Sequence, residues 1–251
     1  MSKVTGVFGR AKSTFYRLTC VIKNAKICVI KNAKSQQEKE AENMRANTYG
    51  KMNHLYKKYR GYTSTRGLTE EGLTNRQISV LAEEGYLERV CHGHYWMLQC
   101  GYEKPYDYKC IEACLSNPRA VISMKSACFY QGMTEQEPEY LTVSTERTDR
   151  SAMKTNFPIE RHFFSGSNFR LGLKHVKTEF GCYNIYDIER SVCDIIRLEG
   201  KSEDHELLIE MLDSGRLEKS RYKRILKYAQ LFNRANLFSS DILERLSAQD
   251  E

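Results

Sequence analysis

The sequence lacks any apolar run of about 18 residues, which is the shortest length read as a membrane-spanning helix. It also lacks, behind its N-terminus, an apolar segment of the kind that directs secretion. These two absences exclude a transmembrane helix and argue against export. We therefore expect a cytoplasmic protein without a membrane partner.

The short motifs of common catalytic sites are absent as well, since there is no GxSxG, P-loop, HExxH or GxGxxG pattern. A metal-dependent nuclease would need acidic residues and a lysine close together on adjacent strands. The segment 139–147 contains Glu146 but no lysine. We expect no catalytic residues, no enzyme activity and no cofactor, and a metal-dependent nuclease is the least favoured alternative.

One group of carboxylates invites a catalytic interpretation. Glu189, Asp194 and Glu199 lie on or near one predicted helix. Carboxylates at such spacing more often form salt bridges along the helix, here with Arg190 and Arg197. A structural role is therefore the simpler hypothesis.

Nine cysteines are scattered along the chain, and an odd, irregular set does not form a disulfide framework. A zinc site needs paired CxxC motifs or clusters of Cys and His. The nearest candidates are Cys91 with His92 and His94, and Cys110 with Cys114, and each lacks a matching second pair. We expect buried thiols in a reducing cytosol, and no metal site.

The formal net charge of +7 is spread unevenly. Residues 1–60 hold 14 Lys or Arg against 3 Glu, a net charge of +11, and the remainder carries 25 positive against 29 negative side chains, a net charge of −4. A basic arm beside a DNA-reading helix would raise affinity through counterion release. The alternative is a tail that is merely solvated.

Residues 1–43 are predicted to be separate from the rest. The sequence CVIKNAK occurs twice, at 20–26 and 28–34, which resembles a short tandem duplication more than a structural repeat. We expect a basic, disordered and dispensable extension. Translation beginning at Met44 is an alternative, and a mitochondrial presequence is a weaker one.

Two helix starts follow one another in residues 61–98. A hydroxyl at Thr63-Ser64 can accept a backbone N–H of the first turn. Thr74 and Gln77 have the spacing of a capping box, in which each side chain satisfies the backbone amide of the other residue. Ile78, Leu81 and Ala82 then fall at helical spacing and predict a buried stripe on the second helix.

A hairpin follows these two helices. Gly85 supplies the helix stop, and Leu87–Cys91 and His94–Leu98 are predicted strands joined by a turn at His92-Gly93. A further helix is expected over Ala46–Tyr59, packed behind the other two. This order predicts a winged helix-turn-helix domain over residues 44–100.

The outer face of the second helix carries groups that can read duplex DNA. Arg pairs bidentately with guanine and Asn with adenine, while Ser contacts either base or phosphate. The hairpin adds side chains for phosphate or minor-groove contact. The candidate DNA-binding residues are Thr63, Ser64, Arg66, Thr74, Asn75, Arg76, Ser79, Arg89, His92 and His94. Winged helices also serve as protein-binding modules, and five glutamates between positions 70 and 88 keep that alternative open.

Residues 106–251 alternate helices and strands and predict an α+β domain with helices at its C-terminal end. We expect helices over Tyr106–Leu115 and from Ser123 to near Gly132, helices capped by Asp187 and by Ser202, and terminal helices over Tyr222–Phe232 and Asp241–Leu246. Strands are predicted over Ala120–Ile122, Tyr140–Thr145, Ile159–Phe164, Leu173–Thr178 and Tyr183–Tyr186. Because Tyr140–Thr145 alternates apolar and polar residues, we expect one of its faces to be exposed. Gly101–Pro105 is the expected linker from the winged helix.

Four segments resemble the AbiEi family, bacterial antitoxins of abortive-infection type IV toxin–antitoxin systems. The hairpin reads GYLERV followed by GHY, similar to the wing of the family. Pro118, Ala120, SA at 126–127 and GMT at 132–134 are similar to a second family segment, in which Met133 stands where Leu is usual. Tyr140–Ser144 resembles the strand that follows, and YDIERSVCD at 186–194 resembles the family motif YDxERTVCD, with Ser191 in place of Thr. The resemblance covers about residues 44–232.

The resemblance implies a protein in two parts. The winged helix would repress its own operon by binding inverted repeats in double-stranded promoter DNA. The second domain would counter a nucleotidyltransferase-like toxin encoded next door, without a stable complex. The motif would mark antitoxin-domain residues, namely Tyr186, Asp187, Glu189, Arg190 and Asp194. A purely structural role fits the same residues equally well, with Asp187 as a helix cap and Arg190 paired with Glu189 or another acid.

Overall fold

The computed structural model describes residues 46–59, 61–98, 101–198, 210–211 and 219–232. The chain divides into two units, Met1–Lys58 and Tyr59–Glu251. In the first unit, residues 46–58 are helical (α1), which confirms the helix predicted there, and Met52 and Leu55 are buried.

Several expectations fall outside the described residues. They concern residues 1–43, Glu199, the cap at Ser202 and the terminal helix at 241–246. In the ranges that are described, no helix combines the length and the apolar character needed to cross a membrane.

The second unit begins with a three-stranded sheet, which we call the small sheet, and two helices. Its strands are antiparallel and lie in the order β1-β3-β2. These elements run along the chain as β1 (Tyr62–Ser64), α2 (Thr65–Glu70), α3 (Asn75–Glu83), β2 (Leu87–Cys91) and β3 (His94–Met97). The two helices, the turn at His92-Gly93 and both hairpin strands lie where the sequence predicted them, within a residue or two.

Gly61 fixes the start of this sheet. Its φ angle is +93°, a conformation that glycine adopts without strain. A Cβ atom at this position would collide with the ring of Trp96, which is buried in β3. The backbone of β1 therefore approaches β3 closely because residue 61 has no side chain.

A five-stranded mixed sheet forms the rest of the second unit. Its order is β6-β5-β4-β8-β7, with β4 parallel to β8, β5 parallel to β6, and the other two neighbouring pairs antiparallel. The strands are β4 (Val121–Ile122), β5 (Leu141–Glu146), β6 (Ile159–Phe164), β7 (Leu173–Lys177) and β8 (Cys182–Tyr186). The helices are α4 (Tyr108–Ser116), α5 (Met124–Tyr130), α6 (Gly166–Phe169), α7 (Ile188–Leu198) and α8 (Lys219–Leu231). The fold is mixed α+β, as predicted.

The expectation that β5 has an exposed face is wrong. Residues 141–145 are all buried, because β5 lies between β4 and β6 and its polar face also meets protein. Ser126 accepts a hydrogen bond from the backbone N–H of Thr142 at 2.8 Å, and Ser144 Oγ donates to Ser123 Oγ at 2.8 Å. The polar residues of the alternating pattern are therefore buried and hydrogen-bonded.

The C-terminal core is built from three helices. Apolar side chains of α5, α7 and α8 form one buried cluster, which includes Met124, Val192, Ile196 and Ile225. The apolar face of α7 lies in this cluster, and its polar face is buried too, since every residue from Ile188 to Ile196 is buried. Four charged or polar side chains on α7 consequently need partners inside the protein.

The small sheet and the five-stranded region share buried contacts. Trp96 of β3 packs edge-on against Tyr62 with ring centroids 4.7 Å apart, and against Phe180 at 5.9 Å. Lys104 Nζ lies 2.8 Å from a carboxylate oxygen of Glu88 in β2 and 2.8 Å from one of Glu112 in α4. The segment predicted to be a plain linker thus carries an ionic contact between the two parts.

Candidate nucleic-acid interface

The N-terminal end of α3 is fixed by a capping box. Thr74 Oγ1 accepts a hydrogen bond from the backbone N–H of Gln77 at 3.3 Å, and Gln77 Oε1 accepts one from the backbone N–H of Thr74 at 2.9 Å. Ile78 and Leu81 are buried beneath the helix, and Ala82 is half-buried. Both features were predicted, and together they fix which face of α3 points outward.

The outward face of α3 carries an exposed polar row. Thr74, Asn75, Arg76 and Ser79 are all exposed, which confirms the predicted outer face. Arg76 forms no ion pair with any residue in the described ranges. Arg76 and Asn75 therefore present donors and acceptors to solvent at the start of the helix, where a groove-reading helix places them.

The turn between β2 and β3 presents a second set of side chains. Arg89 and His92 are exposed, and the backbone oxygen of Arg89 accepts a hydrogen bond from Asn156 at 2.9 Å. His94 is half-buried, with Nδ1 3.2 Å from the backbone oxygen of His92 and 3.5 Å from Cys91 Sγ. Burial raises the pKa of the Cys91 thiol to about 11. Arg89 and His92 are thus the accessible members of this set.

Three of the predicted DNA-binding residues lie at or near α2, and they differ in exposure and in hydrogen-bond partners. Ser64 Oγ caps α2 by accepting from the backbone N–H of Gly67 at 3.1 Å, as predicted. Arg66 is exposed and pairs with Glu70 at 2.9 Å. Thr63 is buried in β1, only 5 % exposed, so its side chain does not face a ligand at this surface. The alternation of β1 turns Thr63 inward because Tyr62 and Ser64 point the other way.

The motif over residues 186–194 is a buried structural network. Asp187 caps α7, because its Oδ1 accepts from the backbone N–H of Arg190 at 2.7 Å, and its Oδ2 accepts from the hydroxyl of Tyr228 at 2.7 Å. The hydroxyl of Tyr186 donates to the backbone oxygen of Phe169 at 2.6 Å. The cap at Asp187 was predicted, whereas these two long-range partners were not.

Arg190 pairs with Asp194 and not with Glu189. Its Nε lies 2.7 Å from Asp194 Oδ2, and both side chains are fully buried. Arg197 approaches the other carboxylate oxygen of Asp194 at 2.7 Å. Burial raises the pKa of Asp194 above its ordinary value, and the two arginines oppose that rise. The predicted salt bridges along α7 are therefore confirmed for Asp194.

Glu189 has partners on another helix. It is buried, and Arg221 and Arg224 of α8 approach its carboxylate at 3.5 and 3.4 Å. The hypothesis of a Glu189–Arg190 pair is wrong, because the two side chains leave α7 in different directions. Nothing in a single sequence identifies a partner that lies more than thirty residues away.

The described ranges include the cysteines that the sequence offered as metal ligands. These ranges contain no group of three or more His, Cys, Asp or Glu side chains that could hold a metal ion. Cys110 and Cys114 are buried thiols, and burial raises the pKa of both, that of Cys114 to about 11.

Sequence reasoning missed two groups of residues. One is the ionic contact of Lys104 with Glu88 and Glu112, since a linker lysine carries no pattern of its own. The other is a pocket lined by Arg147 and His162 together with two α7 arginines, which lie far apart in sequence. No protein-family model matches this chain, and no curated protein matches it either.

Proposed function

We propose that this chain is a cytoplasmic, DNA-binding autorepressor and antitoxin of the AbiEi type. In this proposal, β1, α2, α3, β2 and β3 form a winged helix-turn-helix, α3 enters the major groove, and the β2–β3 turn is the wing. The observation that carries the proposal is the exposed row of Thr74, Asn75, Arg76 and Ser79 on α3. The N-terminus of this helix is capped and its opposite face is buried.

The chemistry of this row suits base reading. Arg76, which forms no ion pair with the described residues, can donate two hydrogen bonds to guanine, and an asparagine can exchange two with adenine. Arg89 and His92 on the turn would contact the phosphate backbone. These contacts would fix the register of the protein on inverted repeats in its promoter.

The charge of residues 61–98 limits how much affinity this segment supplies alone. It contains three arginines against five glutamates. The excess of positive charge in residues 1–60 would supply counterion release. We therefore expect binding to depend on base contacts for specificity and on the basic segment for overall affinity.

The antitoxin part of the proposal concerns the five-stranded region. It would counter a nucleotidyltransferase-like toxin from a neighbouring gene, without a stable complex. The support is the resemblance of the motif at 186–194. Because those residues are buried, they would act by holding the fold of the region, and not by touching the toxin.

Fluorescence anisotropy with the promoter duplex tests the DNA-binding part. Asn75→Ala and Arg76→Ala should each weaken specific binding by about 1–3 kcal/mol. Arg150→Ala removes an exposed arginine from the five-stranded region and serves as the matched control. Unchanged affinity in both α3 variants would show that α3 does not contact the promoter DNA.

A protein-binding role for the same segment is the second candidate. The observation in its favour is that Glu70, Glu83 and Glu84 are exposed at the ends of α2 and α3. Co-purification of a stable complex with the product of the neighbouring gene, together with no promoter binding at low salt, would favour this function over DNA binding.

A further inference from the structure

A pocket of about 450 Å³ lies at the ends of β5 and β6 and against α6 and α7. We name it the arginine pocket. It is within the size range of small-molecule sites. Its polar and aromatic lining includes Arg147, His162, Phe164, Asn168, Arg190 and Arg197.

Three nitrogen atoms of these lining residues are buried and have no hydrogen-bond partner in the described part of the chain. They are Arg190 Nη2, Arg197 Nε and His162 Nε2. Arg190 is 0 % exposed, and its other donors are occupied by Asp194 and by two backbone oxygens. Buried donors are almost always paired, and these three belong to residues that line one pocket. Together with the exposed Arg147 they favour a ligand that accepts hydrogen bonds.

The two α7 arginines are held in place before any ligand arrives. The guanidinium of Arg190 lies 4.5 Å from the ring centroid of Tyr186 and 4.6 Å from that of Phe232. The guanidinium of Arg197 lies 4.6 Å from the same Phe232 centroid. Cation–π contacts of this kind fix a guanidinium plane, so the donors lose little conformational freedom on binding.

The charge balance at the pocket is positive. Arg147, Arg190 and Arg197 carry three positive charges, and Asp194 and Glu160, which contact lining residues, carry two negative charges. Glu160 is half-exposed beside His162, with its carboxylate 3.7 Å from Nε2. An anionic ligand is therefore favoured over a neutral or cationic one.

We propose that the arginine pocket binds a phosphorylated small molecule through its phosphate monoester. The planar fork of arginine matches phosphate oxygens bidentately. Phe163 and Leu198 also line the pocket and are 45 % and 44 % exposed, so they offer an apolar surface for the remainder of the ligand. This proposal does not depend on DNA binding.

Isothermal titration calorimetry of the full chain tests it, with inorganic phosphate, ribose 5-phosphate and adenosine 5′-monophosphate as separate ligands at constant ionic strength. Ribose and adenosine are the unphosphorylated controls. The variants are Arg147→Gln and Arg197→Gln, with Arg150→Gln as the matched control for loss of an exposed positive charge. Circular dichroism and the urea midpoint show whether each variant is folded.

We expect saturable binding of at least one phosphorylated ligand, none of ribose or adenosine, and affinities about 10- to 100-fold weaker in both pocket variants. Tighter binding of the nucleotide than of phosphate would assign Phe163 and Leu198 to the base or sugar, and equal binding would assign the site to the phosphate group alone. No saturable binding of any of the three would overturn the proposal. An equal loss of affinity in Arg147→Gln and Arg150→Gln would also overturn it. Should Arg197→Gln not fold, the exposed Arg147 alone decides between these outcomes.

Discussion

Arg190 connects α6, α7, β6, β8 and the end of α8 through one buried guanidinium. Its Nε binds Asp194, and its Nη1 donates to the backbone oxygens of Asn168 and Leu171 at 2.7 and 3.1 Å. The same group contacts three aromatic rings. Burying a charged side chain of this size costs free energy. The salt bridge, the two hydrogen bonds to backbone oxygens and the three ring contacts offset that cost.

Replacing Arg190 should therefore destabilise the fold strongly. Arg190→Leu leaves buried acceptors without a donor, and we expect a loss of roughly 3–5 kcal/mol of unfolding free energy in urea. Arg190→Lys keeps the charge but cannot reach all the acceptors, so we expect it to be destabilising as well. Arg150→Leu, at an exposed position, is the control. Full stability of the lysine variant would mean that charge alone, and not the fork, matters here.

Asp149 sets a pH dependence of stability. Burial on its own raises the pKa of this carboxyl, but hydrogen bonds from Asn117 and Ser151 and the charge of Arg119 outweigh it and lower the pKa from 3.8 to about 2. Because the folded-state pKa lies below the unfolded one, the stabilisation is present above pH 4 and is lost as the pH falls towards 2. The difference corresponds to about 2 kcal/mol.

Unfolding of the wild type and of Asp149→Asn by urea at several pH values checks this expectation. The advantage of the wild type over the variant should be constant from neutral pH to about pH 5 and should shrink from pH 4 to 2. Glu103→Gln, at an exposed carboxyl, is the control. An advantage that persisted unchanged at pH 2 would contradict the assignment to Asp149.

At the scale of single elements, α3 depends on its cap. Thr74→Ala removes the acceptor for the backbone N–H of Gln77, and we expect a loss of about 1 kcal/mol of unfolding free energy. Thr74→Ser keeps the hydroxyl and should restore most of it. Because Asn75 and Arg76 follow the cap directly, promoter affinity should fall in the alanine variant and recover in the serine variant. Equal promoter affinity in both variants would show that the cap does not position these side chains.

Local signals explain which elements were predictable. The capping box at Thr74, the turn at His92-Gly93 and the strand at 159–164 depend on residues a few positions apart, and the structure places them as predicted. The buried polar face of β5 was not predictable in this way. It is set by Ser123 and Ser126, which approach from α5 and are identified only once the sheet order is known.

The two candidate sites differ in the same way, because one follows from a local sequence pattern and the other does not. The outer face of α3 follows from helical spacing alone, so sequence reasoning found Asn75, Arg76 and Ser79. The arginine pocket needs side chains from three separate stretches, represented by Arg147, His162 and Arg190, and no short-range pattern connects them. The same holds for Glu189, whose arginine partners are on α8.

At the scale of the second unit, Lys104 joins the small sheet to the five-stranded region. Burial on its own lowers the pKa of Lys104, but the carboxylates of Glu112 and Glu88 outweigh it and raise the pKa above its ordinary value. Glu112 is 0 % exposed and also accepts a hydrogen bond from the hydroxyl of Tyr62 at 2.9 Å. The two parts therefore share a buried charge network as well as the packing of Trp96 on Phe180, and we expect them to unfold together.

Lys104→Met tests this coupling, because it leaves Glu112 buried without its cation. We expect roughly 3–5 kcal/mol of destabilisation in urea. Adding Glu112→Gln removes the uncompensated charge while keeping an oxygen for Tyr62, so the double variant should be more stable than Lys104→Met alone.

Tryptophan fluorescence follows Trp96, the one tryptophan of the chain, and circular dichroism follows the whole protein. Coincident transitions by the two methods indicate joint unfolding. A fluorescence transition at lower urea than the circular dichroism transition, in the wild type, would show that the small sheet unfolds by itself and that the Lys104 contact does not couple the two parts.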